Sequence, residues 1–502
     1  MAARHHGAIV VVGGGIAGLS AAIYARLNDF EATVYEMAQK PGGVCAGWER
    51  SGFLVNGSIH WLVGSAPGSD LHDMWMQLGV LDDHPHLSPA RFALFRDLDG
   101  VDVHLWRDPD KLQVHLSEIS PDDADTVAEM CDAIRVFRDA EFPMRRDFEL
   151  LSLTEWIGIF ARNMPFMLAH RRYAALTVED YAARFRHPAL QGMLRNFWTP
   201  GLSMQFLLMQ LGFAARGTAA YPLGGSGPFI DRLVRRLEGL GGRIETGVRV
   251  TGIDVSDGKA TGLFLADGRR VAADHVIAAC DATQVFDRLL PGGEALRPES
   301  LDHLTTFPPL CYFSAGASYD FAGLETVSMG HNLRFDPPLQ VGPVSHPRAT
   351  VQIYSFDPTL APRGKVLLTA MLDSDYDWWR ARHDEGADAY RCARDNIADA
   401  MIDGLDRHFP GLRDGVVFRD LATPLTYERY TGNHRGAYEG WLPTPAAAKA
   451  RIPTHFDAVR NFWMAGHWVA PGGGMPPAAY TGRNAVQLIC DAEDIEFRVG
   501  LP

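Results

Sequence analysis

Hydrophobic positions near the two ends of the chain predict buried strands that run into glycine-rich turns and then into helices. Residues 8–12, Ala-Ile-Val-Val-Val, form an uninterrupted apolar run that stops at Gly13, as expected of a parallel strand covered on both faces. Ile16, Leu19 and Ile23 then recur at helical spacing, and residues 32–36, Ala-Thr-Val-Tyr-Glu, predict a second strand that ends in a carboxylate. At the far end, residues 461–466 predict a strand, 467–474 a loop and 478–489 a helix, with Pro476 and Pro477 suited to its first turn. Between the ends, residues 229–237 have the spacing of an amphipathic helix. Asp257-Gly258 and Asp267-Gly268 divide short alternating strands into a three-stranded meander, and residues 276–279 predict another buried strand.

The glycines give these elements a chemistry. Gly13 permits a tight turn after the first strand, Gly15 lets a pyrophosphate approach the backbone, and Gly18 lets helix and strand pack closely. The helix that opens at Ile16 and Ala17 presents its N-terminus to the phosphates. Glu36, 23 residues after Gly13, stands where an acidic side chain accepts hydrogen bonds from a ribose and repels a 2′-phosphate. Strand, glycines, helix, strand and acid in this order predict dinucleotide binding. A second cluster, with Gly42, Gly43 and Val44, comes where an NAD-binding unit needs none but where an FAD protein brings backbone beside the pyrophosphate and ribityl chain. The C-terminal loop adds Gly466, His467, Gly474 and Met475, and the positive end of the helix after it suits the N1–C2=O edge of a flavin. FAD is the cofactor expected.

At 502 residues, 47% hydrophobic and 22% charged, the chain is long enough for more than one core. The fold class expected is α/β: a Rossmann-like FAD-binding domain, discontinuous in sequence (1–75, 216–289 and 451–502), with an α+β substrate-binding domain of mixed sheet and helices (76–215 and 290–450). A net charge of −14 argues against nucleic acid as a partner. Six cysteines without CxxC spacing predict neither a metal site nor a disulfide framework, which suits a cytoplasmic protein. The first apolar segment is too short for a signal peptide, and no run reaches the ~18 apolar residues of a membrane span. Two apolar tracts, 164–168 and 197–209, read as helical core or as the wall of an apolar tunnel. Arg162, Arg171 and Arg172 beside the first allow it to dock peripherally on a membrane.

These motifs, together with Gly224-Gly225-Ser226-Gly227 and the segments 357–365 and 423–432, resemble the FAD-dependent phytoene desaturase, carotenoid isomerase and retinol saturase family of the amine-oxidase-like fold, over nearly the whole chain. The resemblance implies hydride transfer to flavin N5 from carbon–carbon units of an apolar polyene, isoprenoid or acyl chain, with redox-neutral isomerisation or saturation as the nearest variant. It places His60, Trp61, Tyr438 and Glu439 near the reacting face of the flavin and the backbone of Val250 against the adenine side. Two positions depart from the commonest pattern: Val44-Cys45 replaces an arginine after the second glycine pair, and His467 replaces an aspartate. No second strand–GxGxxG–helix unit offers NADPH a place. Electrons therefore leave to oxygen, a quinone or another carrier, or return to the same molecule. An amine oxidase would want a lysine near N5, for which Lys365 is the candidate, and a lipid-carrying escort protein would have no use for an intact phosphate turn.

Overall fold

The structure, a computed structural model, describes residues 6–81 and 84–500. The apolar run near the N-terminus is strand β1 (Ala8–Val12), followed by helix α1 (Ile16–Leu27) and strand β2 (Glu31–Glu36). Strands β3 (Arg243–Thr246), β4 (His275–Ala278) and β5 (Val459–Met464) complete a parallel core in the order β3-β2-β1-β4-β5. That order reverses direction at β1, which opens a crevice at the carboxyl ends of β1 and β4. Helix α2 (Met475–Ala492) follows β5 and crosses α1 at close range. A Cβ on Gly482 would stand 2.3 Å from the Ala17 carbonyl oxygen, and the Ser20 hydroxyl donates to the Ala479 carbonyl at 2.7 Å. The meander is present as Val250–Ser256, Lys259–Leu265 and Arg270–Ala272 at the edge of this sheet.

A second sheet of seven strands is assembled from two distant stretches of chain. Its order is Val416–Ala422, Leu310–Ala317, Val366–Asp373, Val344–Ile353, His331–Val341, Arg91–Leu98 and Val101–Trp106. Leu310–Ala317 is buried at every position, as a central strand covered on both faces must be. One face packs on Ala387–His408 through Ile397, Met401 and Leu405. Residues 76–215 contribute the hairpin Arg91–Trp106 to this sheet before their helices begin.

Apolar tract 164–168 lies in helix Met164–Tyr173, and its exposure corrects the expectation of core or tunnel wall. Met164 is 51% and Leu168 65% exposed, while Phe166 alone turns inward onto Phe137 and Phe142. The second tract divides by face. In helix Met204–Ala215, Met204, Leu207 and Leu208 are buried in the core, whereas Phe206, Met209, Gln210 and Phe213, spaced i, i+3, i+4 and i+7, wall a cavity.

Candidate active site

The cavity, about 440 Å³, begins at the crevice beside β1 and extends to the second sheet, where Leu310 and Met371 line it. At the crevice Gly13 has φ of 102°, and a Cβ there would meet the Ala279 carbonyl oxygen at 2.7 Å, so no other residue fits between the ends of β1 and β4. The second glycine cluster folds back on the first. Gly42 N–H donates to the Gly14 carbonyl at 2.8 Å, and a Cβ on Gly43 would lie 3.3 Å from the Gly15 Cα. Side chains here would fill the cradle that a pyrophosphate needs.

Glu36 stands at the carboxyl end of β2 with its carboxylate anchored from below. Oε2 accepts from Gly14 N–H at 2.6 Å and Oε1 from Ala38 N–H at 2.7 Å, leaving lone pairs for ribose hydroxyls. Burial raises its pKa and these N–H donors work against that rise. From the other end of the chain, Gly472, Gly473 and Gly474 all have positive φ, and α2 starts immediately afterwards with Pro476 and Pro477 in its first turn. The first turn of α2 lines the cavity and carries no acidic side chain, so its positive end is free to meet an anionic or electron-rich ring edge. Two opposed glycine turns, an anchored acid and two helix N-termini on one cavity fit FAD. Gly13, Gly15, Ile16, Ala17, Glu36, Gly42, Gly43, Val44, Val250, Gly466, His467, Gly474 and Met475 all line it. Gly18 does not. It lies beneath the turn, where a Cβ would stand 1.9 Å from the Gly13 carbonyl oxygen.

His60, Trp61, Tyr438 and Glu439 line the same cavity. The His60 Nε2 is 3.3 Å from the Met371 sulfur, and burial holds the ring down to about 4, so it is neutral at neutral pH. His467 is likewise held down to about 4 by burial, and its Nε2 has no hydrogen-bond partner among the described residues. Trp61 packs on Phe92 and Trp198. Sequence reasoning missed Arg249, Asp281, Met371 and Tyr427, which also line the cavity. Asp281 follows β4 by three residues and accepts from Thr283 N–H at 2.7 Å and the Thr283 hydroxyl at 2.8 Å. An acid just past the buried strand predicted at 276–279 is the sequence signal that could have found it. Lys365 is not at the site. It lies in the turn after Pro362, and among the described residues no lysine lines the cavity, which removes the candidate that an amine oxidase would have used near N5.

The model of the family described as flavin containing amine oxidoreductase matches residues 16–490. Prolycopene isomerase 2, chloroplastic, from an Oncidium hybrid cultivar is 24% identical, covering 98% of this chain and 85% of that protein. The lycopene-forming phytoene desaturase of Pseudescherichia vulneris is 22% identical over 96% of this chain and 99% of its own. Among solved structures, cyclohexylamine oxidase from Brevibacterium oxydans IH-35A superposes with a TM-score of 0.61 at 14% identity, covering 97% of this chain and 99% of that one. The chain belongs to the flavin-containing amine oxidoreductase family, and it is an FAD-dependent oxidoreductase of the amine-oxidase-like fold.

Proposed function

We propose that the protein acts on carbon–carbon bonds of an apolar polyene, isoprenoid or acyl chain. The observation that supports this most is the makeup of the cavity beyond its nucleotide end: Trp61, Trp198, Phe206, Met209 and Phe213 wall it, and Arg249, among the described residues the only Lys or Arg on its lining, sits beside Val250. Bound FAD supplies two-electron chemistry at carbon–hydrogen and carbon–carbon bonds. The chain's own residues exclude water and hold the substrate in line, with each buried CH₂ contributing about 0.8 kcal/mol. His60, Trp61, Tyr438 and Glu439 are the side chains placed to assist. The family relatives named as desaturases and isomerases favour this reading, with isomerisation as its redox-neutral variant. Oxygen, a quinone or another small carrier takes the electrons when the reaction is a net oxidation.

Anaerobic mixing of purified protein with candidate polyenes and amines tests the proposal. A polyene should bleach the visible flavin band, or shift its own spectrum without bleaching if it is isomerised. Bleaching by amines alone would overturn the assignment.

Peripheral contact with a membrane belongs to the same proposal, because such a substrate resides in lipid. Helix Leu153–Arg162 has no buried residue, and Leu153 (75%), Ile157 (61%) and Phe160 (47%) extend the exposed apolar surface of Met164 and Leu168, with Arg162, Arg171 and Arg172 at its margin. Phe166, Phe142 and Phe213 pack in sequence from this surface to the cavity wall, the first pair edge to face with ring centroids 5.1 Å apart and the second tilted at 5.5 Å. No helix among the described residues is long and apolar enough to cross a membrane. Ile157→Asp with Leu168→Asp should weaken co-sedimentation with phosphatidylcholine–phosphatidylglycerol vesicles by about tenfold or more at unchanged flavin content. Wild-type protein that stays in the supernatant would dismiss the contact.

A further inference from the structure

Among the described residues three carboxylic acids line the cavity, and the protein pairs two of them. Glu36 accepts backbone N–H groups from Gly14 and Ala38, and Asp281 accepts from Thr283 and from the His434 N–H. Glu439 accepts nothing from any described residue, and burial alone acts on it. Its backbone is nevertheless firmly held. Tyr438 packs on Phe307 with ring centroids 5.3 Å apart, and the Phe307 N–H donates to the Gly440 carbonyl at 2.9 Å. Trp441 Nε1 donates to the Trp468 carbonyl at 2.9 Å, and Gly472 N–H donates to the Trp441 carbonyl at 3.0 Å. Gly473 approaches so closely that a Cβ there would lie 2.6 Å from the Glu439 Cβ. Glu439 is thus pinned to the loop that leads into the N-terminus of α2, the part of the cavity suited to the flavin ring.

A half-buried carboxyl on the wall of a largely apolar cavity, with no protein partner of its own, is costly unless a ligand supplies one. We propose that Glu439 hydrogen-bonds the bound flavin as a neutral acid and tunes its reduction potential by losing that proton. The inference rests on the FAD site described above. Burial pushes the Glu439 carboxyl up to about 8, which leaves it protonated at neutral pH and ionised in mild alkali. Ionisation sets a negative charge beside a ring that becomes anionic on reduction, so the reduced cofactor is disfavoured as pH rises through that value. His60 and His467 are held neutral by burial, the Tyr427, Tyr438 and Tyr480 hydroxyls are pushed up by it, and the Cys45 thiol is raised to about 11 and Cys280 to about 12. Glu36 and Asp281 keep their backbone donors, and Arg249 acts on Glu36 at the nucleotide end.

Holoprotein and its Glu439→Gln variant, poised with a redox dye at matched potentials, provide the test. At about pH 9 the wild type should hold about tenfold less reduced flavin than the variant, and at about pH 6.5 the two should agree, since an amide resembles a neutral acid. Coincident curves at both values overturn the proposal, and so does a variant that folds but holds no flavin. The wild type alone gives a second measurement: its visible flavin spectrum should change as Glu439 ionises between neutral pH and mild alkali. A yellow wild-type protein whose spectrum is flat there overturns the role of Glu439 only, whereas a protein that takes up no FAD removes the cofactor site and this inference together.

Discussion

Gly18→Ala is expected to give a folded protein that has lost its flavin. The added methyl would lie 1.9 Å from the Gly13 carbonyl oxygen, with the Gly13 carbonyl carbon at 3.1 Å and a Val11 methyl at 3.2 Å. No rotamer relieves this, because the first obstacle is backbone. The turn between β1 and α1 must open, at a cost of about 3 kcal/mol for forced overpacking. That turn is where the two glycine clusters meet, so the strain falls on the pyrophosphate cradle rather than on the bulk of the core. Flavin affinity should fall about a hundredfold if the cradle carries the whole cost. The ratio of visible flavin absorbance to protein after gel filtration, with and without added FAD, measures it, and far-UV circular dichroism shows that the chain has folded. Gly158→Ala is the control. Gly158 is in helix Leu153–Arg162 with nothing within 4 Å of the new methyl. That substitution should leave flavin content untouched and favour the helix by up to about 1 kcal/mol. A Gly18→Ala protein as yellow as the wild type would detach the turn from cofactor binding.

The parts of this fold that were legible in the sequence are those determined within one turn or one hairpin. The strand–glycine–helix–strand unit at residues 8–36 shows its period and its turn residues directly, and the meander is marked by Asp257 and Gly258, which adopt φ of 50° and 68° as a tight hairpin requires. Helix α2 begins at Met475, three residues before the apolar spacing suggests, because Pro476 and Pro477 occupy its first turn. Hairpin Arg91–Trp106 escaped notice although Asp99-Gly100 marks its turn with the same left-handed geometry. Its neighbour in the sheet, His331–Val341, lies more than two hundred residues away, and no local period announces such a pairing. The same distance hid Asn56. Its side chain accepts from the Ser226 hydroxyl at 2.6 Å and donates to the Tyr354 hydroxyl at 2.9 Å, joining the loop that carries His60 to both later parts of the chain. Exposure of helices Leu153–Arg162 and Met164–Tyr173 was hidden for a different reason: apolar periodicity gives the face of a helix, not what covers it.

Met209→Trp is expected to separate substrate binding from cofactor binding more sharply than any other single change. Met209 shares its helix face with Phe206, Gln210 and Phe213, and that face borders the cavity, whereas the opposite face, through Leu207, Leu208 and Leu211, is packed in the core. An indole at 209 therefore grows into the space where substrate would lie and not into packed side chains, so stability should change by less than about 1.5 kcal/mol, in the range of tolerated hydrophobic exchanges. The glycine turns, Glu36 and the N-terminus of α2 are formed by other elements, and flavin content should remain that of the wild type. An apolar chain denied its place is displaced by more than an ångström from the reacting position, which costs roughly a hundredfold in kcat/KM. Stopped-flow bleaching or spectral shift with a polyene that the wild type turns over measures the loss. A small, compact amine, if it were the substrate, would still fit beside the ring and would be turned over at nearly the wild-type rate. A yellow Met209→Trp protein that processes a long polyene normally would show that the chain does not run along helix Met204–Ala215.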